Sequence, residues 1–286
     1  MKNLKKTISM ILAAVLVLVS LTACSSGKKE SLTIGVPNDT TNEARALLLL
    51  QELGYITLKA DAGITATIRD IEKNDYNLEF KEVEAAQLPN VLDDVDYAVI
   101  NSNYAIEAGL NPTKDSLGME GSSSAYSNIL AVKEGNENEP KILALKAALE
   151  SKQVADFIAE KYDGAVVSTV DNPGDGYDAS VDYAALAGTE ISVAASPAPH
   201  AEILKIAEEI LAAKDITLKT IEYTDYVQPN NVVDSGEVDA NYFQHQPYLD
   251  DFNAENGTHV VSVAAIHVEP MGIYGGKQTS LDAIKK

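Results

Sequence analysis

Two stretches of the chain follow one plan, and this internal repeat limits the fold more than any other feature of the sequence. Each begins with a short apolar strand, at residues 32–36 and 190–194, and continues past proline into a helix. Each then carries the tetrapeptide Ile-Thr-Leu-Lys, at residues 56–59 and 216–219, followed by an element containing Gln, Pro and Asn. Repeated β/α units build similar lobes, and a cleft between two lobes commonly encloses a small solute.

The rest of the chain also alternates short β-prone runs with helical stretches. This alternation predicts an α/β fold with two mainly parallel sheets and a ligand cleft between two lobes. The predicted helices include residues 64–73 and a last one at 280–285. Residues 171–188 carry four Asp, three Gly and one Pro without clear periodicity, which predicts a solvated linker.

Residues 1–23 have the features of an export signal peptide. Three lysines in the first six residues precede an apolar run, residues 8–21, that is too short to span a membrane. The signal ends in Leu-Thr-Ala before Cys24, the only cysteine, in a pattern that resembles a bacterial lipobox. We expect cleavage before Cys24, lipid on its sulfur and a polar tether at 24–30, although an ordinary secretory signal is the alternative. The mature protein is then expected at the extracytoplasmic face of the cell membrane.

Charge and motifs exclude several classes of function. The net charge of −21 becomes −24 when the three signal lysines are lost, which argues against nucleic acid and anionic lipid headgroups as partners. The four histidines form no HExxH motif or close pair, so no metal site is predicted. The sequence contains no GxSxG motif and no phosphate-binding loop. We therefore predict a protein that is not an enzyme and that has no cofactor.

Arg45 is the first candidate site residue. It lies within about a turn of a predicted helix start, where the helix macrodipole disfavours a cation. It shares a helix face with Leu48 and Leu49. A guanidinium beside free backbone N–H groups is suited to bidentate binding of a carboxylate. The alternative is an internal salt bridge to an Asp or Glu of the cleft.

An aromatic segment at residues 241–248 forms the second candidate group. In an extended conformation Asn241, Phe243 and His245 share one face, at a strand end where α/β proteins place ligands. Tyr226 ends another strand of the same lobe. Such a pocket favours a polarizable apolar group, since each thioether contact with a ring contributes about 0.3–1.5 kcal/mol. The alternative is an aromatic core cluster.

Two asparagines complete the candidates. Asn101 directly follows the apolar strand at residues 97–100, and Asn128 begins the strand at 129–132. An amide at a strand end can receive an ammonium or a carboxylate, although each residue alone is more often a turn former or cap.

With these elements identified, the sequence resembles the NlpA lipoprotein family, the methionine-binding lipoproteins of ABC importers. The matching text includes VPNDTTNEARALLLLQELG (36–54), VEAAQLPNVLDDVDYAVINSNYA (83–105), PHAEIL (199–204) and VDANYFQHQPYLDDFN (238–253). The resemblance implies a two-lobed, periplasmic-binding-protein-like fold and a monomeric receptor that delivers L-methionine to a membrane permease. A receptor for another amino acid or a small peptide is an alternative, and an extracytoplasmic enzyme or adhesin on the same fold is a further one.

The resemblance also assigns roles to the candidate residues. The residues that correspond to those around the methionine side chain are Tyr226, Phe243, His245 and Tyr248. Those that correspond to the groups holding the amino and carboxylate ends are Arg45, Asn101 and Asn128.

The order of the two halves departs from the family. In the family, the segment similar to residues 189–286 comes first and leads directly into the strand that begins here near Leu32. The chain therefore resembles a circularly permuted member, in which residues 171–188 join the usual ends. Exposed turns tolerate such cuts when the original ends lie close together.

The permuted order predicts where the lobes begin and end. One lobe is expected to comprise residues 31–128 plus 272–286 and to carry Arg45 and Asn101. The other is expected to comprise residues 129–271, with the aromatic pocket. The chain is expected to cross between them around residues 128–132 and 269–274.

Overall fold

The computed structural model describes residues 31–121 and 124–285, so the predicted signal peptide, tether and Cys24 lie outside the described residues. The strands are β1 (Thr33–Pro37), β2 (Thr57–Leu58), β3 (Ile71–Lys73), β4 (Glu79–Val83), β5 (Tyr97–Ile100), β6 (Ser116–Met119), β7 (Ser127–Lys133), β8 (Val167–Ser168), β9 (Glu190–Ala195), β10 (Thr217–Glu222), β11 (Ala240–His245), β12 (Val260–Val268) and β13 (Gly272–Gly275). The α-helices are α1 (Thr40–Glu52), α2 (Ser102–Glu107), α3 (Pro112–Asp115), α4 (Pro140–Leu149), α5 (Lys152–Tyr162), α6 (Tyr183–Leu186), α7 (Glu202–Ala212), α8 (Gln228–Asp234) and α9 (Gln246–Asn256). Short 3-10 turns and one π-turn (Pro197–Ala201) connect them.

Two main sheets organise the described chain into two lobes of an α/β fold. The first sheet has the strand order β4-β1-β5-β13-β6, and the second has the order β10-β9-β11-β7-β12-β8. In each, the first three strands are parallel, and a helix follows the middle one. The internal repeat of the sequence is therefore visible as a repeated three-strand unit, which confirms the two-lobed α/β prediction.

The sheets are mixed, so the expectation of mainly parallel sheets is wrong in this respect. Two of the four pairings in the first sheet and two of the five in the second are parallel, and the others are antiparallel. Strands β7 and β13 enter their sheets from the cleft, directly after the chain has crossed between lobes. They run away from the cleft, opposite to strands whose carboxyl ends face it, because they begin at that edge.

The matching Ile-Thr-Leu-Lys tetrapeptides do not occupy matching places. The second begins β10 in its main sheet, whereas the first contains β2, which pairs with β3 in a separate small sheet. The helix predicted at residues 64–73 is also absent, and 3-10 turns lead there into β3. A capping box between Thr67 and Asp70 closes one of these turns, and the β-branched residues around it disfavour a helix.

Residues 171–188 pack against the second lobe, so the predicted solvated linker is an ordered connection. The rings of Tyr177 and Tyr183 meet edge to face with centroids 5.4 Å apart. The Tyr177 hydroxyl donates to the Ile210 carbonyl oxygen at 3.2 Å. These aromatic contacts bury apolar area that the acidic composition of the segment does not reveal.

The C-terminal segment is docked on the first lobe. Ile284 is 2% exposed and packs in the core built around β1 and α1. The Tyr97 hydroxyl donates to the Ser280 carbonyl oxygen at 2.7 Å. The predicted helix at residues 280–285 is a single 3-10 turn, Leu281–Ala283.

The chain passes between the two sheets twice, after β6 ends at Met119 and before β7 begins at Ser127, and again at residues 269–271. The first passage precedes the residues predicted for it, 128–132, because β7 already begins at Ser127. Each sheet has its own apolar core, and the cleft lies where the two crossings meet. Within the described residues, no helix has the length and apolar character needed to cross a membrane.

Replacing Ile284 with alanine is expected to lower the free energy of unfolding by about 2–5 kcal/mol, since it removes buried methyl groups and leaves a cavity. Ile64, which is 54% exposed, offers a matched control whose alanine variant should change stability by no more than about 0.5 kcal/mol. Urea titration followed by circular dichroism measures both. Equal stability of the two variants would show that the C-terminal segment does not dock.

Candidate functional site

All seven candidate site residues line one cavity between the lobes, with an empty volume of about 340 Å³ that includes the solvent at its mouth. These residues are Arg45, Asn101, Asn128, Tyr226, Phe243, His245 and Tyr248. The sequence prediction missed five further lining residues, Asn42, Ser102, Asn103, Gln244 and Glu269. The cavity lies where β5 and β11 end and β7 begins, the edge at which α/β sheets collect ligand-binding side chains.

Arg45 is buried on α1 and forms the internal salt bridge that was the alternative to a carboxylate site. Its Nε donates to the two carboxylate oxygens of Glu120 at 2.8 and 3.0 Å, and its Nη2 contacts the same carboxylate. Nη2 also donates to the Glu269 carbonyl oxygen at 2.7 Å, and the Tyr126 ring centroid lies 4.5 Å from Cζ. Nη1 has no hydrogen bond to any residue of the described chain, so the guanidinium keeps a donor for a further acceptor.

Asn101 follows β5 and presents an unused acceptor. Its Nδ2 donates to Asn42 Oδ1 at 2.8 Å, and Asn42 Nδ2 in turn donates to Asp39 Oδ1 at 2.8 Å. The Oδ1 of Asn101 is buried without a hydrogen-bond partner in the described structure. A buried polar atom without a partner is unfavourable, so this oxygen is suited to a donor of a ligand.

Asn103, two residues on, presents an unused donor. Its Oδ1 accepts from the Tyr226 hydroxyl at 2.6 Å, which joins the two lobes. Its Nδ2 is buried and, within the described residues, has no partner. The tripeptide at residues 101–103 marks this turn in the sequence, but which of its side chains face the cavity depends on the turn after β5.

Asn128 is the second residue of β7, where it is paired with His245 on one side and His267 on the other. Its Oδ1 lies 2.9 Å from His200 Nε2. Asn128 therefore belongs both to the cavity wall and to the buried polar cluster around His200.

Three aromatic rings that contact one another line the cavity. The Tyr226 centroid lies 5.8 Å from that of Phe243 and 5.7 Å from that of Tyr248, and the latter two are 6.0 Å apart. The Tyr248 hydroxyl donates to the Tyr226 carbonyl oxygen at 2.9 Å. These ring faces and edges provide a polarizable apolar wall.

A β-bulge explains why Gln244 was missed. The pairing of β11 with β7 shifts between Tyr242 and Gln244, so the simple alternation of faces fails there. As a result Phe243, Gln244 and His245 all line the cavity.

His245 is a neutral donor in this site. Its Nδ1 accepts from the Tyr248 backbone N–H at 3.2 Å, which caps α9, and its Nε2 lies 3.3 Å from Asn42 Oδ1. Burial, with the nearby Arg45 charge as a second cause, lowers the pKa of His245 well below its ordinary value. The imidazole therefore stays uncharged at neutral pH.

Behind the cavity wall, two histidines converge on one buried carboxylate. Glu269 Oε1 lies 2.7 Å from His267 Nε2 and 3.2 Å from His200 Nε2. The three possible metal-ligating atoms lie within 4.8 Å of one another. Bonds of about 2.1 Å to a tetrahedral zinc ion would hold such atoms about 3.4 Å apart. The shorter separations fit hydrogen bonds, and burial raises the pKa of Glu269 and lowers those of both histidines to about 3.

The model of one known protein family matches most of the chain. Residues 24–170 and 191–286 match the family model of the NlpA lipoprotein. The chain belongs to the NlpA lipoprotein family. This confirms the resemblance that the sequence motifs carry.

Individual relatives match over a part of their length. The chain is 47% identical over 135 residues to the membrane lipoprotein TpN32 of Treponema pallidum, which covers 47% of this chain and 50% of that protein. It is 44% identical over 134 residues to a probable D-methionine-binding lipoprotein MetQ of Vibrio cholerae, covering 47% and 50%. The chain thus spans about half the length of these relatives. A nutrient binding protein from Burkholderia cenocepacia, solved bound to methionine, is 44% identical, covers 52% of this chain and 64% of that one, and has a TM-score of 0.48.

The buried pair Arg45 and Glu120 should be strongly coupled. In a double-mutant cycle with Arg45→Met and Glu120→Gln, we expect an interaction free energy of about 1–3 kcal/mol from urea unfolding, because each single variant leaves a buried polar group short of its partner. The exposed pair Lys152 and Asp156 is the control, where about 0.3–0.5 kcal/mol is expected. Additive effects at Arg45 and Glu120 would contradict the buried ion pair.

Proposed function

We propose that this protein is a lipid-anchored, extracytoplasmic receptor that binds methionine between its lobes and delivers it to the permease of an ABC importer. The observation that carries the proposal is the mixed lining of the cavity. Arg45 and the two asparagines Asn101 and Asn128 line the same cavity as the rings of Tyr226, Phe243 and Tyr248. The methionine-binding names of family relatives support the same ligand.

The proposed binding mode follows from the donors and acceptors in the cavity. The ligand carboxylate lies against Arg45 and Asn128, which offer N–H groups. The ligand ammonium lies against the unpartnered Oδ1 of Asn101. The thioether side chain lies among Tyr226, Phe243, Tyr248 and His245, where sulfur–ring contacts contribute about 0.3–1.5 kcal/mol each.

We further propose that the chain is a circularly permuted member of its family. Support comes from the family match in two segments and from single relatives that align over about half their length. It also comes from the ordered connection at residues 171–188, which lies between the two matched segments. The proposed lobes comprise residues 31–128 plus 272–286 and residues 129–271.

The proposed anchor is a lipid on Cys24. The family match begins at this residue, and the preceding residues have the pattern of a lipoprotein signal. A monomeric receptor held by two acyl chains is sufficient for this role. A receptor for another amino acid or a small peptide would use the same polar groups with a different fit among the rings, and an enzyme or adhesin on this fold is the more distant alternative.

Calorimetric titration with each amino acid tests the ligand. We expect L-methionine or D-methionine to bind with one site per chain and to stabilise the fold by about 2.7 kcal/mol at 100 times the dissociation constant. Alanine is the control, since it has the same polar end without the thioether. No binding of either methionine enantiomer or of short methionine peptides would reject the proposed ligand.

Arg45→Ala tests the proposed carboxylate contact. We expect the affinity for methionine to fall at least about a hundredfold, because an ionic hydrogen-bonded pair is lost and Glu120 then repels the ligand carboxylate. The matched control is Arg69→Ala, since Arg69 is the other arginine of the chain and is exposed. Unchanged affinity in Arg45→Ala, with the fold intact by circular dichroism, would exclude the contact.

A further inference from the structure

A hydrogen-bonded chain of three residues ends on Asn101 and fixes which of its amide atoms is free. Asp39 Oδ1 accepts from the side-chain Nδ2 of Asn42 at 2.8 Å and from its backbone N–H at 3.0 Å. An ionised carboxylate can only accept, so nitrogen must be the Asn42 atom that faces Asp39. Asn42 Oδ1 then points the other way and accepts from Asn101 Nδ2 at 2.8 Å.

His245 strengthens this arrangement. Its Nδ1 accepts a backbone N–H from Tyr248, so the neutral ring carries its proton on Nε2. Nε2 lies 3.3 Å from Asn42 Oδ1, which gives that oxygen a second donor. The Asn42 amide is therefore held at both ends, and Asn101 is left with an unpartnered oxygen at the cavity.

A second chain ends on Asn128 in the opposite sense. Glu269 Oε1 accepts from His267 Nε2 at 2.7 Å, and His200 Nε2 lies 3.2 Å from the same oxygen. His267 Nε2 faces the Glu269 carboxylate and so carries the ring proton, which makes Nδ1 the acceptor of the Tyr242 hydroxyl. His200 Nε2 must likewise carry a proton to face a carboxylate. Its hydrogen bond goes to the Asn128 atom 2.9 Å away, which is therefore oxygen.

The consequence is that the two asparagines offer the cavity different atoms. Asn101 is fixed with its oxygen free, whereas Asn128 is fixed with its Nδ2 directed away from His200. An amide without such neighbours could rotate by half a turn and exchange donor for acceptor. Here each rotation would set two donors or two acceptors against each other in a buried place, which is unfavourable.

We propose that the buried groups Asp39 with Asn42, and Glu269 with His200, are positioning residues that fix Asn101 as an acceptor and Asn128 as a donor. They thereby set the orientation in which a zwitterionic amino acid is bound. This inference rests on the proposed function and adds to it residues that act through the two asparagines. Burial lowers the pKa of His200 to about 3, so the ring is neutral and carries a proton on only one of its two nitrogens.

Paired variants of His200 test the second chain. His200→Gln retains an N–H donor at the position of Nε2, whereas His200→Leu removes it with a side chain of similar bulk. We expect His200→Leu to weaken L-methionine binding at least about tenfold in calorimetry, as a hydrogen bond to a charged group is lost. We expect His200→Gln to stay within about threefold of the wild-type affinity, because it still holds Asn128 Oδ1.

A ligand lacking the carboxylate separates positioning from folding. L-methioninamide keeps the ammonium and replaces the carboxylate by a neutral amide. In displacement of bound L-methionine, His200→Leu should lose its preference for methionine over methioninamide by about tenfold, whereas Asp39→Asn, which acts at the ammonium end, should weaken both ligands alike. A merely structural defect would lower the melting temperature and affect both ligands equally in every variant.

Several outcomes would overturn the inference. Equal losses of methionine affinity in His200→Gln and His200→Leu would show that the donor at Nε2 is not what matters.

Stoichiometric zinc in the purified protein, with methionine binding lost on chelation, would show that the cluster of His200, His267 and Glu269 holds a metal. If His200→Leu does not fold, Tyr242→Phe removes the hydroxyl at His267 Nδ1 without touching the cavity and so allows that ring to change tautomer. It should weaken methionine binding by about threefold, and unchanged affinity counts against the proposal. Absence of methionine binding in the wild type would reject the proposed function, whereas wild-type binding with unaffected variants rejects only the inference.

Discussion

The buried guanidinium of Arg45 is the interaction on which the arrangement of the two lobes depends. It holds Glu120, where the chain leaves the first sheet, and the carbonyl oxygen of Glu269, where the chain returns to it. One side chain of α1 therefore fixes both crossings. A buried charge is favourable only when it is paired and fully hydrogen-bonded, so the two crossings and the helix are constrained together.

This ion pair also decides the character of the cavity. The positive charge of Arg45 is balanced by Glu120, and burial keeps His245 neutral. Most of the remaining polar lining consists of amides and hydroxyls whose orientation is fixed by neighbours. Such a cavity selects among ligands through the orientation of its amide and hydroxyl dipoles more than through a net charge of its own. This suits a ligand that carries one positive and one negative charge.

Local chemistry explains which site residues could be predicted from sequence. Asn101 directly follows β5, and Arg45 lies in α1, the helix that follows β1. The carboxyl end of a parallel strand faces the cleft, so residues that come soon after such a strand lie near it. Gln244 could not be predicted, since a bulge in β11 breaks the alternation of faces and depends on pairing with β7. Glu269 and Asn103 were missed because their roles arise from contacts between segments far apart in the sequence.

The same distinction applies to the fold. The existence of most helices and strands follows from periodicity, and β5 has its predicted bounds, residues 97–100. The direction of β7 and β13, and the separate sheet of β2 and β3, follow from how the chain crosses the cleft and so depend on tertiary structure. Short β-branched segments such as residues 64–73 are the least determined locally, because a helix and a turn–strand arrangement satisfy the same pattern.

The proposed permutation is compatible with the cavity for a geometric reason. The cavity is built at one edge of both sheets, and none of its lining residues belongs to residues 171–188 or to the C-terminal 3-10 turn. Residues 171–188, which the proposed permutation would make the new connection, pack instead through Tyr177 on Ile210. What must be preserved is the contact between Arg45 and the two crossings, and this contact depends on how the lobes pack and not on which half of the chain comes first.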